Sequence, residues 1–175
     1  MTSKTIHIDG VIGQGEGEVS AQFVRSQLPP NGTDPIVVRI HSEGGSVFEG
    51  FAIHDLLKSY AGPKAASIQS TAFSIASFIA MAFDDIEIAP NGYMMLHNPS
   101  VEAQGDDEAL AKSSAMLGQL KSTMIDAYAK RSGRSPDEIA AILKAETYYS
   151  AQEAVSAGFA DRITGTSAVI LGLSL

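Results

Sequence analysis

The chain has no cysteine and no tryptophan, only 7% aromatic residues, and fewer bases than acids. Without cysteine there is no disulfide, no thiolate metal site and no thiol nucleophile, a composition that fits a reducing cytoplasm. Twelve Lys and Arg stand against 20 Asp and Glu, a net charge of −8 with no basic stripe and no aromatic-plus-Arg run. Nucleic acid is therefore a poor partner, and the acidity speaks for solubility more than for a substrate. Long hydrophobic runs are missing as well. The longest, Ile75–Phe83, is far short of the ~20 residues a membrane helix needs, so no membrane partner is expected. The start, MTSKTIHIDG, lacks a basic segment followed by an apolar one, so no secretory signal is expected either.

What is present is core material. Hydrophobic residues make up 45% of 175, enough for a single domain, expected over 1–165 with an apolar tail at 166–175 that has no evident partner in the sequence. Period-2 and buried runs predict strands at Thr5–Asp9, Ile36–Ile40, Ala65–Ile68, Asp85–Ile88, Tyr93–Leu96 and Phe159–Ile163. Helical spacing predicts helices over Val19–Leu28, Val47–Tyr60, Ile75–Phe83, Glu108–Arg131, Ser135–Lys144 and Ser150–Ala157. The longest carries a broad stripe of Leu110, Met116, Leu117, Leu120, Met124, Ile125 and Tyr128. Strands alternating with helices give an α/β fold with a mostly parallel sheet and right-handed crossovers.

Four features fall at strand ends or element junctions, where α/β folds bind ligands: Gly44-Gly45, Ser74, His97 and Glu146. Acyl transfer by serine needs a nucleophile, an imidazole base, an acid that orients it, and backbone donors for the oxyanion. Each feature also has a plain explanation. Serine at a helix start is usually an N-cap, Gly-Gly serves any tight turn, and a lone glutamate in a loop is usually solvated. His41 ends a strand and rivals His97, while His7 sits in a strand and His54 on a helix. Ser77, one turn after Ser74, reads as a packing residue.

Taken together the segments resemble the ClpP-type serine peptidases, and within them the phage-type branch linked to capsid (prohead) maturation. The family's S-P-G-G-x-V appears as Ser42-Glu43-Gly44-Gly45-Ser46-Val47, and its G-x-A-I-Y-D/N as Gly50-Phe51-Ala52-Ile53-His54-Asp55. The phage-branch nucleophile segment, A-A-S-I-A-S-x-I-A-M-A, is matched from Ala72 to Ala82. M-M-x-H-N-P is Met94 to Pro99, and the E-T-W-x-S/T-A signature is Glu146 to Ala151, running on to Asp161.

The resemblance implies a ClpP/crotonase-like spiral of strand-strand-helix units, with Glu108–Arg131 as a protruding helix that joins ring to ring. It implies Ser74 as nucleophile, His97 as general base and Glu146 as the orienting acid, with Asp161 a structural position and fallback. Gly45 and Ile75 would supply the oxyanion N–H groups. Gly44, Ser46, Val47 and Asn98 would lie on arms, Gly45–Val47 and Asn98–Gly105, that pair with the substrate backbone as added strands. No cofactor and no metal is implied. The implied partners are a polypeptide substrate and further copies in a ring that can stack on a second ring, in the host cytoplasm if the protein is phage-encoded. The short N-terminus shows no axial loop for an unfolding ATPase, which favours ATP-independent work. Two departures bear on the site: Glu43 replaces a proline, which should loosen the oxyanion turn, and Phe73 replaces an alanine, which should narrow the cleft. A crotonase-like acyl-CoA enzyme and an inactive ring or scaffold subunit are the competing readings.

Overall fold

Buried residues at every second position make the first two strands: Ile6 and Ile8 in β1 (Lys4–Asp9), and Ile36, Val38 and Ile40 in β2 (Ile36–Ser42). In a computed structural model, which describes residues 3–165, these strands pair in parallel, Ile6 opposite Val38 and Ile8 opposite Ile40. The apolar tail expected at 166–175 lies outside the described residues. Between β1 and β2 runs α1 (Ala21–Gln27), capped by Ser20, whose side chain accepts from Phe23 N. After β2, α2 (Val47–Lys58) buries Ile53 and Leu57.

The next strand, β3 (Lys64–Phe73), continues well past the expected Ala65–Ile68. Its polar residues Gln69, Ser70 and Thr71 give no hydrophobic signal, but two neighbours satisfy its backbone in turn. The first half pairs with β4 (Ile86–Ile88), and the second half pairs with β5 (Tyr93–Leu96), both in parallel. The sheet order is β1-β2-β3-β4-β7, with β5 and β6 branching from the far end of β3. A register shift between Ile40 and Ser42 accompanies the branch. This handover carries the strand beyond the main sheet, where α3 (Ile75–Ala80) begins. The chain is thus α/β with a mainly parallel sheet, as its sequence predicts.

Two further elements differ from expectation. β6 (Thr147–Ser150) pairs antiparallel with β5, Leu96 opposite Thr147, where the sequence predicts no strand because TYYS has no alternation of its own. The last strand, β7, shrinks to Arg162–Ile163. Phe159 and Ala160 instead donate their N–H groups to Ala154 O, closing the end of α6 (Ala151–Ser156).

The long helix, α4 (Asp107–Ser132), starts at Asp106, whose carboxylate accepts from Ala109 N, and stops at left-handed Gly133. Only Met124 and Tyr128 of this helix are buried. Its first half therefore stands clear of the body, as a protruding helix should. A capping box of Ser135 and Glu138, with proline in the first turn, starts α5 (Pro136–Ala145) as predicted. The sheet face away from the helices is polar. It carries His7, Arg39 and His41, and a ladder in which Glu87 holds Ser67 at 2.8 Å and Arg162 at 3.1 Å.

Candidate active site

Parallel pairing of β3 with β5 sets Phe73 opposite Met95. Ser74, just past the end of β3, and His97, just past the end of β5, thus reach the same edge. The Ser74 N–H donates to Met95 O at 2.9 Å, which ties the corner to β5. Ser74 Oγ lies 2.6 Å from His97 Nε2.

The corner is strained. Ser74 has φ 54° and ψ −127°, a conformation that L-residues avoid and that costs on the order of 1–3 kcal/mol. It makes no side-chain bond to the start of α3, so the N-cap explanation fails. The hydroxyl faces the imidazole instead. Ser77, expected to be packing, donates its Oγ–H to Ser74 O at 2.7 Å and meets the Tyr128 hydroxyl at 2.7 Å.

Gly45 and Ile75 both border this cleft. Ile12 N donates to Gly44 O and Ser46 N donates to Ile12 O, an isolated parallel bridge centred on Gly45. In such a bridge the N–H of the central residue points away from the partner strand, so the Gly45 N–H is turned away from Ile12. Ile75 opens α3, so its N–H has no intrahelical partner. The glycines are obligatory here. A Cβ on Gly45 would lie 2.2 Å from Ile12 O, and one on Gly44 would lie 2.7 Å from Ser74 Cβ. Both also have positive φ, 144° and 96°. The turn is held without a proline at 43, because Ser42 Oγ accepts from Gly44 N at 3.0 Å.

Gly45, Ser74, Ile75 and His97 line one narrow cleft, walled by Val47, Pro99, Ser100 and Met124. Three of these wall residues escaped sequence reasoning. Met124 was visible only as part of the α4 stripe, and Pro99 and Ser100 as the flank of a motif. Ser46 caps α2, and Asn98 donates its N–H to Leu143 O at 3.0 Å while its Oδ1 is enclosed without a partner among the described residues. Phe73 does not narrow the cleft. Its ring meets Tyr148 edge-on at 5.6 Å on the other side of the corner.

Glu146 lies one residue before the Leu96–Thr147 pair, on the chain alongside His97. It caps α5 in the left-handed region, φ 51°, and its exposed carboxylate accepts from Tyr148 OH at 3.3 Å. His97 Nδ1 bonds to nothing among the described residues. Burial, with Glu146 next in weight, pushes the Tyr148 phenol above its ordinary pKa. Asp161 is committed elsewhere, accepting from Ile86 N at 2.7 Å and pairing with Arg131 at 2.6 Å. The other histidines have other settings. His41 meets Thr71 on the polar sheet face, His54 stacks on Phe78, and His7 bonds Gln27 through its backbone.

An activated serine on a strained strand-to-helix corner, with imidazole beside it and free amides before it, is the arrangement of a serine hydrolase. Comparison with known families narrows the class. The Clp protease family matches residues 11–167, and the chain belongs to that family. Its members are peptidases that act on polypeptides and assemble into rings. Among the described residues no helix is long and apolar enough to cross a membrane.

Proposed function

We propose that this protein is a serine endopeptidase in which Ser74 is the nucleophile and His97 the general base. The observation that carries the reading is the 2.6 Å contact between Ser74 Oγ and His97 Nε2 at a strained corner. Ser74 Oγ attacks the scissile carbonyl carbon while its proton passes to His97 Nε2. The carbonyl oxygen, now an oxyanion, is held by the N–H groups of Gly45 and Ile75. His97 returns the proton to the leaving amine, the C–N bond breaks, and an acyl-enzyme remains. Water then attacks the ester, giving its proton to His97; the acyl C–Oγ bond breaks, His97 Nε2 returns the proton to Ser74 Oγ, and the carboxylic acid product leaves.

Glu146 completes the triad by rotating its carboxylate from Tyr148 to His97 Nδ1, a short reach given the β5–β6 register. Val47, Ile75, Pro99 and Met124 favour a small apolar side chain beside the scissile bond. The outer edge of Gly45 and the chain from Asn98 to Gly105 accept the substrate backbone as an extended strand, with Gly44 and Ser46 holding that edge in place. The protein works as a homo-oligomeric ring, with α4 meeting a second ring. The nucleophile segment Ala72–Ala82 supports placement in the phage branch, and with it a role in capsid maturation without an unfolding ATPase.

A fluorophosphonate probe tests the reading. Mass mapping should find the label on Ser74, and Ser74→Ala should abolish it. Labelling that persists in Ser74→Ala would refute the assignment. The competing acyl-CoA reading predicts CoA binding and indifference to Ser74 and His97, and no observation in the cleft favours it.

A further inference from the structure

The link from Tyr128 through Ser77 to Ser74 has no part in the triad, yet it ends on the peptide group that matters most. Ser77 and Tyr128 are both fully buried. Ser77 has one hydroxyl proton, and it is spent on Ser74 O at 2.7 Å. Tyr128 must therefore be the donor in the second 2.7 Å bond, giving a directed chain from the Tyr128 O–H to Ser77 Oγ and from Ser77 O–H to Ser74 C=O. The Ser77 N–H also reaches Ser74 O, at 3.0 Å.

The Ser74 carbonyl and the Ile75 N–H belong to one planar, trans peptide unit, so they point in opposite directions. Fixing the carbonyl fixes the N–H. With the carbonyl held by Ser77, the Ile75 N–H is aimed into the cleft, although φ 54° at Ser74 would otherwise favour relaxation of this unit. Hydrogen bonds accepted by the carbonyl also polarise the peptide and strengthen its N–H as a donor. Tyr128 is anchored from the far side. Phe78 and Phe159 pack edge-on against its ring, at 6.3 Å and 6.0 Å, and burial holds its phenol far above the ordinary pKa, so it remains a donor.

We infer that Ser77 and Tyr128 are positioning residues for the oxyanion site, and that through them α4 sets the aim of the Ile75 N–H. This rests on the reading of Ser74 as nucleophile and Ile75 as oxyanion donor. The same helix walls the cleft with Met124, one turn before Tyr128, so α4 fixes both the cleft wall and its donor.

The test uses the full chain and the variants Ser74→Ala, Ser77→Ala, Tyr128→Phe and Ser77→Ala/Tyr128→Phe. The readouts are the fluorophosphonate labelling rate as a function of probe concentration, and thermal unfolding. In Ser77→Ala the maximal labelling rate should fall about tenfold, less than the loss of a whole oxyanion donor. The probe concentration for half that rate should stay within about twofold, because ground-state binding is untouched. Tyr128→Phe should show a smaller loss of the same kind.

Stability should move differently. Ser77→Ala leaves the Tyr128 hydroxyl buried without an acceptor and lowers Tm, whereas the double variant removes both polar groups and recovers much of that Tm. Its labelling rate should nonetheless stay at the Ser77→Ala level, since Tyr128 acts only through Ser77. A labelling rate that recovers along with Tm means the pair is merely structural and overturns the inference. So does an unchanged rate in Ser77→Ala when Ser74→Ala is unlabelled. If wild type takes no label, or Ser74→Ala still does, the underlying assignment of Ser74 fails instead.

Discussion

Ser74 combines a backbone penalty with a reactive contact, and the two are separable by substitution. Ser74→Ala and Ser74→Gly both remove the hydroxyl, but only glycine adopts φ 54°, ψ −127° without strain. Both variants should be inactive, and Ser74→Gly should be the more stable by about 1 kcal/mol, read from chemical unfolding. Equal stability would mean the corner is not strained. Gly45 poses the opposite problem, since Gly45→Ala drives a methyl toward Ile12 O and must displace the bridge between Ile12 and Gly45. Glu146 is the residue whose role its surroundings leave most open to test. Glu146→Gln should lower kcat on the order of 100-fold, less than loss of a fully buried triad acid. Tyr148→Phe removes only the phenol that engages Glu146 at 3.3 Å, and should leave kcat at or above wild type. Loss of activity in Tyr148→Phe would show that the phenol, and not His97, is the working partner of Glu146.

At the scale of elements, the parts legible in the sequence were those written locally. Tyr93–Leu96 is a strand as predicted, and the Ser135–Glu138 capping box starts α5; that Ser74, His97 and Gly45 share one cleft was legible only through the resemblance of their separate segments to a known family. What stayed hidden depends on distant partners. β6 exists because β5 pairs with it, and Ser77 matters because Tyr128 arrives from 51 residues away. The direction of the Glu146 carboxylate was equally hidden, because a left-handed helix end is set by the chain on both sides of it. Helix α2 offers a pH test. His54, stacked on Phe78 at 4.4 Å, is held below its ordinary 6.5, chiefly by burial, with Asp55 opposing and Lys58 assisting. Its depressed pKa means that the unfolded chain takes up the proton first. The corresponding stability is complete above about pH 6.5 and is lost as pH falls toward the folded value. Unfolding free energy measured from pH 8 to 5 should fall less steeply in His54→Phe, which keeps the stack. An unchanged slope would place the acid sensitivity elsewhere.

At the scale of the whole molecule, α4 is the element the rest of the chain does not explain. Its rise of about 1.5 Å per residue carries it far from the body, and Leu110 on its free half is 45% exposed. A ring-forming peptidase whose rings meet through this helix accounts for that surface. Native mass spectrometry should then give a multiple of the 18.4 kDa chain, and Leu110→Glu/Leu117→Glu should halve the particle rather than dissolve it to monomers. At the site itself, the branch of β3 brings the Ser74 hydroxyl against the His97 imidazole in a narrow cleft that Gly45 and Ile75 also line. A crystal structure of the protein inactivated by a peptidyl phosphonate measures that directly. The account predicts phosphorus bonded to Ser74 Oγ, and a phosphonyl oxygen within hydrogen-bond distance of both Gly45 N and Ile75 N. Phosphorus on any other side chain, or that oxygen turned away from both amides, would contradict it.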